Sequence, residues 1–123
     1  MTPRHYALTL TGSAQQLSDV LPLSTVNPAT PGVPASGSDR ASRKFDAFEL
    51  VTLQTDAAAA AMFLGGDNTV SNSNYGIRLP AASGGVPAPP LILGPFMVGK
   101  IKLESLWVSG TANDVLHIFV IEW

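Results

Sequence analysis

Residues 103–123 read LESLWVSGTANDVLHIFVIEW, two runs of strand-forming residues separated by a polar turn. The second run, 115–121, consists almost entirely of β-branched, aromatic and aliphatic residues, which favour strands. Gly, Asn and Asp lie in the turn between the runs, and these residues are typical of chain reversals. The stretch therefore predicts a strand, a turn and a second strand.

The same plan occurs twice more along the chain. In residues 5–20, Tyr6, Leu8 and Leu10 alternate with smaller or polar residues, the period-two pattern of a half-buried strand, and a polar turn and a second run follow. In residues 48–64 the pattern predicts that Phe48, Leu50 and Thr52 share one face of a strand. Three hairpin-like units of this kind predict an all-β fold.

The Ala-rich run at 57–64, five alanines followed by Met-Phe-Leu, is the strongest alternative to an all-β interpretation, because alanine is the best helix former. Eight residues are too few for an independent helix, and Gly65-Gly66 ends the run at once. We therefore predict a strand over Ala60–Leu64, preceded at most by a helical turn.

Charge is scarce in this chain of 123 residues. Only 13% of the residues are charged, about half of the ~25% usual for a soluble domain, and the formal net charge is -2. The length suits one domain, residues 1–123, that buries about two thirds of its surface on folding. This composition excludes a charge-rich disordered chain and disfavours nucleic-acid binding, which needs clustered Lys and Arg. We expect part of the surface to be covered by other subunits.

The chain contains no cysteine, which excludes disulfides, thiolate nucleophiles and Cys-based zinc sites. Met1–Tyr6 lacks the apolar core of a signal peptide. The longest apolar stretches, 57–64 and 115–121, are far shorter than the ~18–20 residues of a membrane helix. We therefore expect a protein made in a cytoplasm, with no membrane partner.

Two Pro-rich segments interrupt the strand pattern. Residues 21–43 contain four prolines and predict an irregular excursion, because proline removes backbone donors and favours extended geometry. Residues 80–95 contain five prolines but also Leu91-Ile92-Leu93, which predicts a short edge strand. Long loops without secondary structure are usually functional or disordered, so both segments are candidates for partner contacts.

Motifs of catalysis and metal binding are missing from the sequence. It has no G-x-S-x-G, H-E-x-x-H, P-loop or G-x-G-x-x-G motif, although a spatial Ser-His-Asp triad stays open. We expect His117 to be a cross-strand polar partner rather than a base. The loop 67–74 is rich in oxygen ligands, but its one acid, Asp67, favours a surface turn over a calcium site. The prediction is a non-enzyme with no metal and no cofactor.

Three stretches carry a resemblance: YALTLTGSAQQLSDV at 6–20, WVSGTANDVLHIFVI at 107–121, and FLGGDN at 63–68 followed by YGIRL at 75–79. They resemble a recurring type of small virion protein of tailed bacteriophages. The resemblance implies a β-sandwich, often of jelly-roll type, on or in a virion assembled in the host cytoplasm.

The function implied by the resemblance is that of a capsid decoration (cement) protein, a homotrimer that binds the major capsid protein and stabilises the head. A neck, collar or tail component is the alternative within the structural class. A carbohydrate-binding β-sandwich of a receptor-binding fibre is the alternative from another class, favoured if Trp107 or Tyr75 is exposed. The expected interface residues lie in the Pro-rich excursion and at the two tryptophans: Val26, Pro28, Pro31, Val33, Pro34, Arg40, Arg43, Trp107 and Trp123.

Overall fold

The computed structural model describes residues 2–20, 47–48, 50–94 and 100–122. This part of the chain forms strands joined by turns and two short 3-10 helices, at Leu17–Val20 and Leu103–Ser105. The strands are β1 (Thr2–Thr9), β2 (Gln15–Gln16), β3 (Ala47–Phe48), β4 (Leu50–Thr55), β5 (Met62–Gly65), β6 (Ile77–Leu79), β7 (Leu91–Leu93), β8 (Ile101–Lys102), β9 (Trp107–Ser109) and β10 (Val115–Glu122).

The strands form antiparallel sheets, so the predicted all-β class is confirmed. The first sheet has the order β1-β10-β4-β7, and the second has the order β2-β9-β5-β6. The two remaining strands, β3 and β8, form a separate ribbon. The described residues include no helix long and apolar enough to cross a membrane.

The strand pairs are nested. The first strand pairs with the last, β2 with β9, β3 with β8, β4 with β7 and β5 with β6. The described strands therefore form one long antiparallel hairpin whose tip is the loop 66–76. Two further pairs, β10 with β4 and β5 with β9, join parts of this long hairpin side by side and complete the two sheets.

The three hairpin-like units predicted from the sequence are therefore not hairpins. β1 and β2 lie in different sheets, as do β4 and β5, and β9 and β10. Each polar turn carries the chain from one sheet to the other. Alternating hydrophobicity identifies a strand but not its partner, so it could not distinguish a hairpin from a crossing between sheets.

The Ala-rich run contains a strand, as predicted, although β5 begins at Met62 rather than at Ala60. A turn precedes it, closed by the Ala59 N–H, which donates to the Asp56 carbonyl at 3.0 Å. The Ala60 N–H donates to the Asp114 carboxylate at 2.9 Å. These bonds satisfy the backbone of the run outside any helix and fix it to the turn between β9 and β10.

One buried cluster contains residues of both sheets and of the β3–β8 pair. In β1, Tyr6 and Leu8 are buried while their neighbours Ala7 and Thr9 are exposed, which confirms the predicted alternation. Burial of this apolar surface contributes about 25 cal/mol per Å² and is the main favourable term in the folding of the chain. The largest fully buried side chains are Phe48, Leu10, Leu17, Leu53, Met62, Leu103, Leu116, Ile118, Val20 and Val51.

The predicted common face of Phe48, Leu50 and Thr52 is wrong. Phe48 is fully buried, but in β4 the buried residues are Val51, Leu53 and Thr55, while Leu50 and Thr52 are only half-buried. The physical reason is that β3 and β4 are separate strands: β3 pairs with β8 in the ribbon, and β4 pairs with β10 and β7 in the first sheet. The alternation of buried residues therefore does not continue from one strand into the next.

Candidate functional site

Of the interface residues expected from the sequence, the structure places only Trp107. The others, Val26, Pro28, Pro31, Val33, Pro34, Arg40, Arg43 and Trp123, lie outside the described residues. Trp107 is half-buried in β9, next to the fully buried Val108. Because successive side chains of a strand point to opposite faces, Trp107 lies on the outer face of the second sheet.

Among the described residues, no strand residue on the outer face of the first sheet is charged, and the Asp56 carboxylate lies at the end of β4 beside His117 of this face. The inner residues of β4 and β10, among them Leu53 and Ile118, belong to the buried cluster, so the alternate residues point outward. We call these outward residues the uncharged face, because none is Asp, Glu, Lys or Arg. They are Pro3, His5, Ala7, Thr9, Leu50, Thr52, Gln54, Ile92, Val115, His117, Phe119 and Ile121.

Large apolar side chains are exposed on the uncharged face. Its central row runs across all four strands as His5, Phe119, Thr52 and Ile92. Phe119 is 42% exposed and Ile92 is 59% exposed. An open groove of about 880 Å³ follows this face over β1, β10 and β4. Exposed apolar side chains grouped in this way are typical of a surface that another molecule covers.

On this face, His117 forms a hydrogen bond with a carboxylate. Its Nε2 lies 2.8 Å from Oδ1 of Asp56, which follows β4 directly, and both side chains are about half exposed. The hydrogen bond from His117 lowers the pKa of the Asp56 carboxyl below its ordinary 3.8. The arrangement agrees with the expectation that His117 is a polar partner, and the partner is Asp56 rather than a residue directly across the strand.

The Asp56–His117 bond predicts a pH dependence of stability. Because the pKa of Asp56 is lowered in the folded protein, the stability that its carboxylate contributes is fully present near neutrality. That stability is lost as pH falls through the folded pKa. We expect Asp56→Asn to lower the melting temperature slightly near neutrality and to leave it unchanged at a pH well below 3.8. Thermal unfolding of both proteins across this range measures the difference.

His117→Ala is the matched variant for this prediction, because it removes the donor and leaves the carboxylate in place. It should weaken the pH dependence less than Asp56→Asn does, because the backbone N–H of Ala57 also lowers the pKa of the Asp56 carboxyl. If the difference between wild type and Asp56→Asn is constant with pH, the bond does not persist in solution.

The loop 67–74 makes hydrogen bonds to itself. The Asp67 carboxylate accepts the N–H of Thr69 at 2.9 Å and also its hydroxyl. The Asn74 amide donates to the Thr69 carbonyl at 3.2 Å and to its hydroxyl at 3.0 Å. These contacts are those of the expected surface turn. Across the described residues, no three His, Asp or Glu side chains are grouped closely enough to hold a metal ion.

A second surface, on the outer face of the second sheet, is rich in aromatic rings. Phe63 of β5 is half-buried, and its ring centroid lies 5.0 Å from that of Tyr75. Tyr75 is 46% exposed, which meets the condition set above for the carbohydrate-binding alternative, whereas Trp107 is half-buried. Trp107 and Phe63 are diagonal neighbours across β9 and β5.

No protein-family model, curated protein or solved structure matches the chain. Its function must therefore be argued from the two outer faces. Sequence reasoning named Trp107 and Tyr75 but missed Phe119, Ile92 and Phe63. The sequence shows that Phe119 points to the side of the strand opposite to Ile118 and Val120. It does not show which of these two sides faces the core, and the exposure of Phe119 depends on that.

Proposed function

We propose that this chain is a non-enzymatic capsid decoration (cement) protein of a tailed bacteriophage, a homotrimer that binds the major capsid protein and stabilises the head. The observation that carries the proposal is the uncharged face. Centres of protein interfaces are depleted in charged residues and enriched in aromatic ones, and this face has Phe119 at its centre and no full charge among its outward residues.

The uncharged face is large enough to supply part of such an interface. Strands about 4.8 Å apart with a rise of about 3.4 Å per residue give this sheet a plane of roughly 400 Å². That is about half of the ~800 Å² that each partner contributes to a standard protein interface, so other parts of the chain would have to complete the contact. A cement protein has to resist separation of the subunits it joins, which requires a rigid surface and burial rather than catalytic groups.

The fold supports the same proposal. Without the β3–β8 pair, eight of the described strands remain, in two four-stranded sheets whose nested pairs follow one long folded hairpin. This strand number and pairing agree with those of a jelly roll, a double-sheet fold of viral capsid and lectin domains. We therefore propose that the two sheets form a β-sandwich of jelly-roll type, in agreement with the resemblance noted from the sequence.

The number of copies per particle tests this function. We expect hundreds of copies of the chain in purified virions, because a shell offers many equivalent sites. Quantitative gel analysis against the major capsid protein measures the ratio. About six or twelve copies would instead assign the chain to the neck, collar or tail, whose rings have few subunits. Absence of the chain from purified particles would refute a virion role.

A further inference from the structure

The outer face of the second sheet contains a small polar groove with an aromatic side chain in its wall. The groove has a volume of about 340 Å³ and is lined by Gly12, Ala61, Phe63, Ser71, Asn72, Ser109, Gly110 and Thr111. It lies beside β5 and β9, next to the loop that follows β5 and the turn that follows β9. It is separate from the uncharged face, which belongs to the first sheet.

We propose that this groove, here called the aromatic groove, binds one ring of a neutral sugar. Its volume is at the lower end of the ~300–1,000 Å³ of small-molecule pockets, which suits a single ring. A protein partner normally needs about 800 Å² of surface on each side, so the size argues for a small ligand.

The side chains of the aromatic groove match the chemistry of a sugar ring. Phe63 lines the groove and supplies an aromatic ring for the apolar C–H side of a sugar, and the Tyr75 ring packs against Phe63 with the centroids 5.0 Å apart. Asn72, Ser109 and Thr111 supply an amide and two hydroxyls, groups that can donate to and accept from sugar hydroxyls. Within the described ranges, these three side chains make no hydrogen bond to the protein.

The charge distribution favours a neutral sugar over an acidic one. None of the residues that line the aromatic groove is charged. The nearest cation in the strand register is Arg78, which pairs with Phe63 from β6, whereas Ser109 of the groove pairs with Phe63 from β9. Arg78 thus lies on the side of Phe63 away from Ser109, and it does not line the groove.

The walls of the aromatic groove are fixed by the fold. Gly110 approaches the core so closely that a Cβ atom there would lie 2.6 Å from Cδ1 of Leu10. The Asp114 carboxylate accepts the Ala60 N–H at 2.9 Å and so joins the loops after β9 and before β5. A preformed site loses less conformational entropy on binding than a mobile one.

The test uses the full chain with the methyl glycosides of glucose, galactose, mannose and N-acetylglucosamine, followed by NMR spectroscopy. We expect at least one of them to shift the backbone signals of Phe63, Ser109 and Thr111 with saturation in the millimolar range. Phe63→Leu, which keeps an apolar side chain but removes the ring, should weaken this binding by about tenfold. Asn72→Ala changes an exposed loop residue and should weaken binding several-fold without affecting the fold.

Val86→Ala is the control, because it truncates an exposed apolar residue outside the groove. It should bind as wild type does. The proposal is overturned if no neutral glycoside gives saturable shifts, if only acidic sugars such as glucuronate bind, or if both groove variants bind as wild type does. Phe119→Glu, which alters the other sheet, should retain sugar binding, so the failure of either proposal is distinguishable from that of the other.

Discussion

Phe119→Glu is expected to abolish self-association of the chain. Phe119 lies at the centre of the uncharged face, so an interface formed there would bury the new carboxylate on a face whose outward residues include no Lys or Arg. An unpaired buried charge costs several kcal/mol, and each 1.4 kcal/mol is tenfold in affinity, so we expect a loss of at least about a hundredfold. Sedimentation velocity should show the wild type as a trimer and the variant at the 12.8 kDa of one chain.

The fold should tolerate Phe119→Glu. The side chain is 42% exposed and points away from the buried cluster, and surface substitutions usually change the free energy of unfolding by about 0.5 kcal/mol or less. Val86→Glu is the matched control, because it adds the same charge at a residue that is 64% exposed and lies outside the uncharged face. A Phe119→Glu protein that sediments as the wild type does would remove this face from the interface.

Phe48→Ala is expected to cause the largest loss of stability among single side-chain truncations. Phe48 is fully buried in β3 and belongs to the cluster that the two sheets share. Truncation of a buried Phe removes its transfer free energy and leaves a cavity, and together these cost about 3–5 kcal/mol. Because the free energy of unfolding of a natural protein is only about 5–15 kcal/mol, the variant should be close to unfolding at physiological temperature.

Urea unfolding of Phe48→Ala should be measured in the Phe119→Glu background, where unfolding is not coupled to dissociation of subunits. Phe48→Leu is the control, since it keeps most of the buried volume and should cost less than about 1.5 kcal/mol. If the alanine variant loses no more than the leucine variant, Phe48 is not a central residue of the core.

The all-β class could be predicted from the sequence because alternation is a local property of each strand. Tyr6 and Leu8 are buried as their spacing indicates, and the Ala-rich run ends in a strand, β5, because its length and its following glycines disfavour a helix. The pairing of strands is not local. The turn between β9 and β10 has the composition of a hairpin turn, yet it connects two sheets, and only the complete set of strand partners reveals this.

The uncharged face could be anticipated only in outline. The shortage of charged residues indicated that some surface is shared, but it did not locate that surface. Locating it requires the orientation of four strands that are distant in sequence, from Pro3 in β1 to Ile121 in β10. Phe63 was missed for the same reason, because a half-buried aromatic residue next to Met62 and Leu64 has the sequence pattern of the core.

Histidine labelling tests the central claim, that the uncharged face is covered in the assembled protein. His5 and His117 are the only two histidines of the chain, and both lie on this face, so diethyl pyrocarbonate modification located by mass spectrometry reports on its exposure. We predict that both histidines react readily in Phe119→Glu and are protected in the wild-type oligomer and on particles. If each histidine reacts as readily in the assembled wild type as it does in the variant, the account is contradicted.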